Sequence, residues 1–223
     1  MVKELFKKIP KRIKLLLFWP VFGAVFWSME LVGTDKYHIV HCFFDDKIPF
    51  CEYFAIPYYF WFIFLIGMIV YGFFWDEEAL KNYMKFTIIT YSVTLAVYAV
   101  YPTVQNLRPE TFQNNNVFTQ IVKFAYKVDT NTNVCPSIHV LGSMAVYFAA
   151  RKSKLFCGKA WRAAFFATAV LITVSTLFIK QHSVLDIVFA VILGVFAYPF
   201  VYFDKKKSSK KTEKHREYAF SGE

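Results

Sequence analysis

A histidine and an aspartate stand four positions apart at His182 and Asp186, inside the run Lys-Gln-His-Ser-Val-Leu-Asp that begins at Lys180. On a helix that spacing places both on one face. Asp186 can then accept a hydrogen bond from one ring nitrogen of His182 and leave the other free. This is how a nucleophilic or basic imidazole is built, although a lone histidine satisfied inside a helix bundle has the same local spelling. The residues that follow, 184–203, are almost unbroken apolar sequence. An aspartate at the mouth of a membrane span points to function, because at mid-span it costs roughly 2.5 to 3.5 kcal/mol on insertion scales.

A second histidine, His139, lies in Cys-Pro-Ser-Ile-His, where Ser137 is placed to cap a helix and His139 falls in its first turn. The chain between His139 and His182 is long enough for one helix inward, a turn and one helix back. Both imidazoles are therefore expected at the same face, each near a helix N-terminus whose free N–H groups and partial positive charge suit a phosphate. Two imidazoles, one of them oriented by a carboxylate, can act as nucleophile and general acid in phosphoryl transfer. Arg108, followed by Pro109, could clamp phosphate oxygens, and Lys180 could add a second cation.

These residues need elements to carry them, and the composition says which kind. The chain is 57% hydrophobic and 21% aromatic, too apolar to face water all round. Six apolar stretches are expected as membrane spans: residues 13–32, 53–75, 86–104, 138–150, 160–179 and 184–203. The expectation is an all-α, polytopic six-helix bundle over 13–203, preceded by a basic interfacial segment, 1–12, and followed by a basic tail, 204–223. The fourth stretch is short, on the order of 20 Å at 1.5 Å per residue against a hydrocarbon core of about 30 Å. Residues 76–85 read as a polar connection, and 105–136 as the longest excursion, of a length usually functional or disordered.

The net charge of +10 is concentrated near the N-terminus, between Arg151 and Arg162, and in the tail. With six spans these three regions share one side, which the positive-inside bias assigns to the cytoplasm. Both termini are then cytoplasmic, the protein lies in the cell membrane, and the histidines lie on the extracytoplasmic face. Basic clusters abutting apolar runs fit membrane flanks better than a nucleic-acid partner. The four cysteines make neither a disulfide framework nor a zinc spacing, though Cys42 and Cys51 could bridge within one outer loop.

At these residues the chain resembles the type-2 phosphatidate phosphatase superfamily, and the Lys-Gln-His spelling resembles its inositolphosphoryl and cholinephosphoryl transferase branch. The family carries Lys, six residues, Arg-Pro; then Pro-Ser-Gly-His; then Ser-Arg, five residues, His, three residues, Asp. Here these correspond to Arg108-Pro109, to Pro136-Ser137-Ile138-His139, and to Ser175, His182 and Asp186. The resemblance implies that His182 attacks phosphorus, Asp186 orients it and His139 protonates the leaving group. It further implies that Arg108 and Ser137 hold phosphate oxygens and that no metal or other cofactor is needed. Tyr101, Thr176 and Ile138 depart from the pattern. Two cations are thereby lost, each ionic hydrogen bond worth about 1.5 to 3 kcal/mol, with Lys180 as one replacement.

The expected function is hydrolysis of a phosphorylated membrane lipid, such as phosphatidate, phosphatidylglycerophosphate or a polyprenyl diphosphate, through a phosphohistidine. The same site could instead move a phospho-head group to a lipid hydroxyl. A transporter or proton relay titrating His182 and Asp186 would predict charges in mid-span, whereas the polar residues here stand at span ends. Haem or metal ligation lacks a second pair of ligands.

Overall fold

The computed structural model describes residues 11–203, so the basic segment expected at 1–12 falls almost wholly outside the described residues, as does the tail at 204–223. The helices are α1 (Phe18–Val32), α2 (Phe43–Lys47), α3 (Ala55–Phe74), α4 (Glu77–Val100), α5 (Val117–Val128), α6 (Ile138–Lys152), α7 (Lys159–Phe178) and α8 (Val184–Tyr202). A two-residue parallel pairing joins β1 (His38–Ile39) to β2 (Thr103–Val104). Among the described residues five helical segments are long and apolar enough to cross a membrane: Lys11–Val32, Glu52–Phe74, Glu77–Val100, Lys159–Phe178 and Val184–Tyr202.

The exception is α6. At 15 residues it spans about 22 Å, short of the hydrocarbon core, yet it is packed against α3, α4, α7 and α8 and most of its side chains are buried. Its composition explains the position: Gly142, Ser143, Ala145, Ala149 and Ala150 let neighbouring helices approach closely. At Gly142 the approach is extreme. A Cβ there would lie 2.7 Å from the Tyr91 hydroxyl and 3.0 Å from Trp61 Nε1.

Two connections differ from the sequence expectation. Residues 76–85 are not a linker: Asp76 caps α4 by accepting from the Ala79 N–H at 3.2 Å, and Glu77 pairs with Lys81 one turn on at 2.7 Å. Asp76 is buried because it also accepts from the Lys154 N–H at 2.7 Å, tying the α3–α4 turn to the α6–α7 loop. The 105–136 excursion contains α5, an amphipathic helix that buries Thr119, Val122 and Ala125 and leaves Val117, Phe124 and Val128 exposed. Asn116 caps it, and Glu52 accepts from both Asn114 and Asn116 at 2.9 Å, fixing α5 across the start of α3. All four cysteines are free thiols, so the Cys42–Cys51 bridge is not formed.

Candidate active site

The first turns of α6 and α8 meet at one end of the bundle. The Ser137 N–H donates to the Asp186 carbonyl at 3.2 Å, which locks the two helix starts together. From α4, the Tyr98 hydroxyl donates to the Pro136 carbonyl at 2.7 Å and the Tyr91 hydroxyl to the Ile138 carbonyl at 3.0 Å. The Thr103 hydroxyl accepts from the Val134 and Cys135 N–H groups at 3.1 Å each. The backbone leading into α6 is thus held on three sides before any chemistry is considered.

In this frame His182 Nδ1 lies 3.0 Å from Asp186 Oδ2, and His182 Nε2 lies 3.2 Å from His139 Nδ1. All three residues are buried. Where Asp186 is the acceptor and His182 is neutral, His182 carries its proton on Nδ1 and presents a lone pair at Nε2. His139 must then donate from Nδ1. Its other nitrogen, Nε2, faces Asp129 Oδ2 at 3.9 Å, and Asp129 also accepts from the Tyr58 hydroxyl. The rings of Tyr58 and Trp61 pack on His139 with centroids 4.9 and 4.5 Å away. The result is a line of polar groups, Asp186, His182, His139, Asp129 and Tyr58, in an otherwise apolar bundle.

Arg108 reaches the edge of this line. Its Nη2 donates to the Asp129 carbonyl at 2.6 Å and to Gln181 Oε1 at 2.9 Å, its Nη1 donates to the Tyr126 carbonyl at 3.1 Å, and the guanidinium lies over the Tyr126 ring at 4.3 Å. Burial lowers its proton affinity, against the opposing pull of Tyr126, Asp129 and Tyr58. Its Nε is buried and has no partner among the described residues, which leaves one donor of the guanidinium unused. Ser137 caps α6 by accepting from the Val140 N–H at 3.5 Å, which leaves its hydroxyl hydrogen to donate.

Lys180 is not brought to the histidines. α7 ends at Phe178, Lys180 adopts a positive φ of 56°, and its ammonium is held by the backbone carbonyls of Asp45 and Ile48. The helical turn that would carry it from Thr176 toward the site does not exist. The other two departures offer no cation either: Tyr101 stacks on His38 at 3.8 Å, and the Thr176 hydroxyl donates to the Thr173 carbonyl at 2.8 Å. Nor do both helix starts stay open for an anion. In α8 the Val184 N–H is taken by Asp45 Oδ1 at 2.8 Å and the Leu185 N–H by Ser183 Oγ at 3.2 Å. Asp45 Oδ2 also accepts from the Ser183 hydroxyl at 2.6 Å. Burial raises the Asp45 proton affinity, but hydrogen bonds from Ser183, Val184 and Cys42 outweigh it and hold the carboxyl below its usual range. At the start of α6 the only side-chain cap among the described residues is the longer Ser137 contact to the Val140 N–H, at 3.5 Å.

Asp129, Tyr58, Asp45 and Gln181 were not singled out by spacing. Gln181 sits inside the signal run, where its amide donates to the Asp129 carbonyl at 2.9 Å while accepting from Arg108. The other three come from distant segments and leave no local pattern. Among the described residues no group of three His, Cys, Asp or Glu side chains is arranged to hold a metal ion.

The bundle has five helices long and apolar enough to cross a membrane among the described residues, and it holds a carboxylate-oriented histidine pair at one end. A family model of the PAP2 superfamily matches residues 30–200, and the chain belongs to that superfamily. Membership makes it a phosphatase-type lipid enzyme in general terms. No curated protein and no solved structure matches it.

Proposed function

We propose that the protein is a lipid phosphatase of the cell membrane, with six spans counting the short α6, both termini cytoplasmic and the site on the extracytoplasmic face. The observation that carries the reading is the Asp186–His182–His139 chain. Its two contacts of 3.0 and 3.2 Å leave the His182 Nε2 lone pair directed at the second ring.

That lone pair attacks the phosphorus of a phosphorylated lipid. The bond from phosphorus to the lipid oxygen breaks, and His139 Nδ1 gives its proton to the departing oxygen. Water, deprotonated by the same His139 nitrogen, then attacks the phosphohistidine and releases phosphate. Asp186 stabilises His182 as positive charge develops on the ring. Asp129, 3.9 Å from His139 Nε2, stabilises His139 when that ring carries both protons, the form a general acid requires. The rings touch at rest, so substrate must part them, with Arg108 Nε and the Ser137 hydroxyl taking phosphate oxygens as it enters.

Membership in the transferase-like branch is a second reading, favoured by a specific shortage. Arg108 is the one cation of the motifs that reaches the site, while Tyr101, Thr176 and Lys180 supply none. One cation suits a singly charged phosphodiester better than a phosphomonoester dianion. The intermediate would then be a phospho-head group on His182, resolved by a lipid hydroxyl. Radiolabelled lipid separates the two, since only hydrolysis frees phosphate.

The test of the site itself is His182→Ala. Phosphate release from a panel of phosphorylated lipids should vanish while the protein stays inserted, and turnover near wild type would remove the nucleophile. Vanadate should inhibit and EDTA should not; the reverse pattern would indicate a metal mechanism.

A further inference from the structure

The segment between α5 and α6 carries a site group at each end. Asp129 faces His139 Nε2 across 3.9 Å, and Ser137 and His139 open α6. Between them, residues 130–133 are held on two sides. On one side the backbone meets β2 and the residue after it: the Asn133 N–H donates to the Thr103 carbonyl at 2.6 Å, and the Gln105 N–H donates to the Asn131 carbonyl at 3.0 Å. On the other side three side chains converge on Glu30, in the last turn of α1. Asn133 Nδ2 donates to Glu30 Oε1 at 2.7 Å, the Thr132 hydroxyl lies 2.8 Å from Oε2, and the Thr130 hydroxyl reaches the same oxygen. The two threonine hydroxyls are 2.9 Å apart, so two hydrogens serve three close contacts and at least one of them goes to the carboxylate.

Glu30 stands where the helix itself does not want it. A negative charge in the last turn opposes the helix dipole, and a carboxylate near the end of an apolar span is costly. α1 packs chiefly on α4 and buries only Phe22 along its length. The contacts that offset the cost all come from residues 100 to 103 positions away, in the segment leading to the histidines.

We propose that Glu30 is a positioning residue for the acid half of the site: through Thr130, Thr132 and Asn133 it sets the segment whose two ends bear Asp129 and His139. Glu30 touches no reacting atom. It acts by keeping the Asp129 carboxylate opposite His139 Nε2, on the side that β2 does not hold. The effect on turnover rests on the proposed function, in which His139 is the general acid; the placement of the segment does not.

Two variants separate placement from charge. In Glu30→Gln the amide oxygen can accept from Asn133, and the threonine hydroxyls can turn to accept from the amide N–H groups. In Glu30→Ala all three contacts are lost, while the β2 contacts keep the segment in the fold. With full-length protein in membranes, Glu30→Ala should lower kcat for a phosphorylated lipid about fivefold, the scale of a lost hydrogen bond. Turnover of p-nitrophenyl phosphate, whose leaving group needs no proton, should stay at the wild-type level, and Glu30→Gln should keep both rates. In an Asp129→Asn background Glu30→Ala should lower the lipid rate no further, because the group it positions is already gone. Equal losses on both substrates, a Glu30→Gln defect as large as that of Glu30→Ala, or losses that multiply in the double variant would overturn the proposal. Placement is read without turnover in His182→Ala protein. There buried Cys135, toward the far end of the segment, should react with maleimide faster when Glu30→Ala is added and no faster with Glu30→Gln. A Cys135 rate unmoved by Glu30→Ala would sink the placement itself, whereas phosphate release that survives His182→Ala would count against the proposed function alone.

Discussion

At the scale of single residues, the distinction that matters is between groups that move protons and groups that hold them in place. Asp129 offers the sharpest case, because it faces His139 on the side away from His182. If it serves the acid step, Asp129→Asn should slow release of a lipid alcohol, a poor leaving group, by tenfold or more, within the range of general-acid effects. It should barely affect p-nitrophenyl phosphate, whose leaving group needs no proton. His182→Ala should stop both, so comparing kcat for the two substrates separates an acid-step defect from a general collapse. Cys135 gives a second, non-catalytic check. Burial, and then the neighbouring Asp186 carboxylate, push its thiol up to about 12. In membranes at pH 8 it should therefore resist maleimide while the exposed Cys157 reacts, and mass spectrometry of the two peptides reads the difference. The group was legible in part: His139 follows a serine cap as expected, whereas His182 stands one residue before the Ser183 cap of α8 and not on its face, and it meets Asp186 because the capping turn folds the two together. Asp129 was not legible, since a loop residue carries no periodic signal.

At the scale of elements, the seventh and eighth helices follow their apolar runs to within a residue or two, since charged or polar residues mark their ends on both sides. Where the reading failed, a cap or a turn overrode composition. Charged 76–85 became helix because Asp76 caps it and Glu77 pairs with Lys81, and α5 stayed hidden because 12 residues with one apolar face are too short for a span. Lys180 was misplaced because the helix assumed to carry it stops at Phe178. Its ammonium and Asp45 instead pin the first loop to the start of α8. The Asp45 carboxyl lies below its usual range in the fold, so its ionised form stabilises the protein fully above the ordinary value of about 3.9. That contribution fades as pH falls through the lower folded value. Melting of wild type and Asp45→Asn in detergent should therefore differ most at pH 6 to 7 and begin to converge only below about pH 4. Packing makes its own prediction at Gly142, where any side chain meets Tyr91 and Trp61. Gly142→Leu should cost about 1 to 3 kcal/mol or more, seen as a lowered melting temperature, and should disturb His139, which packs on the same Trp61.

At the scale of the whole molecule, sidedness joins the site to its substrate. The site end of the bundle carries α5, the β1–β2 pairing and the loops that hold Arg108, whereas the Arg151 to Arg162 basic cluster lies at the other end of α6. In the proposed topology the positive-inside bias makes the basic end cytoplasmic and sets the histidines at the outer leaflet. Parity supports this only if α6 crosses, and α6 is short. Either the bilayer thins around it or Arg151 and Lys152 reach up to the headgroups. The histidines at its start would then sit at about headgroup depth, where a lipid phosphate can meet them without its chains leaving the bilayer. Native Cys157, exposed in the α6–α7 loop, reports the side that the proposed topology makes inner. Gln113→Cys, in the exposed stretch before α5, reports the side that the proposed topology makes outer. With Cys42 and Cys51 replaced by serine, a membrane-impermeant maleimide on intact cells should label Gln113→Cys at once and Cys157 only after permeabilisation. Labelling of both from outside would mean that α6 does not cross, which would place the basic loop and the histidines on the same side and end the case for an outward-facing lipid phosphatase.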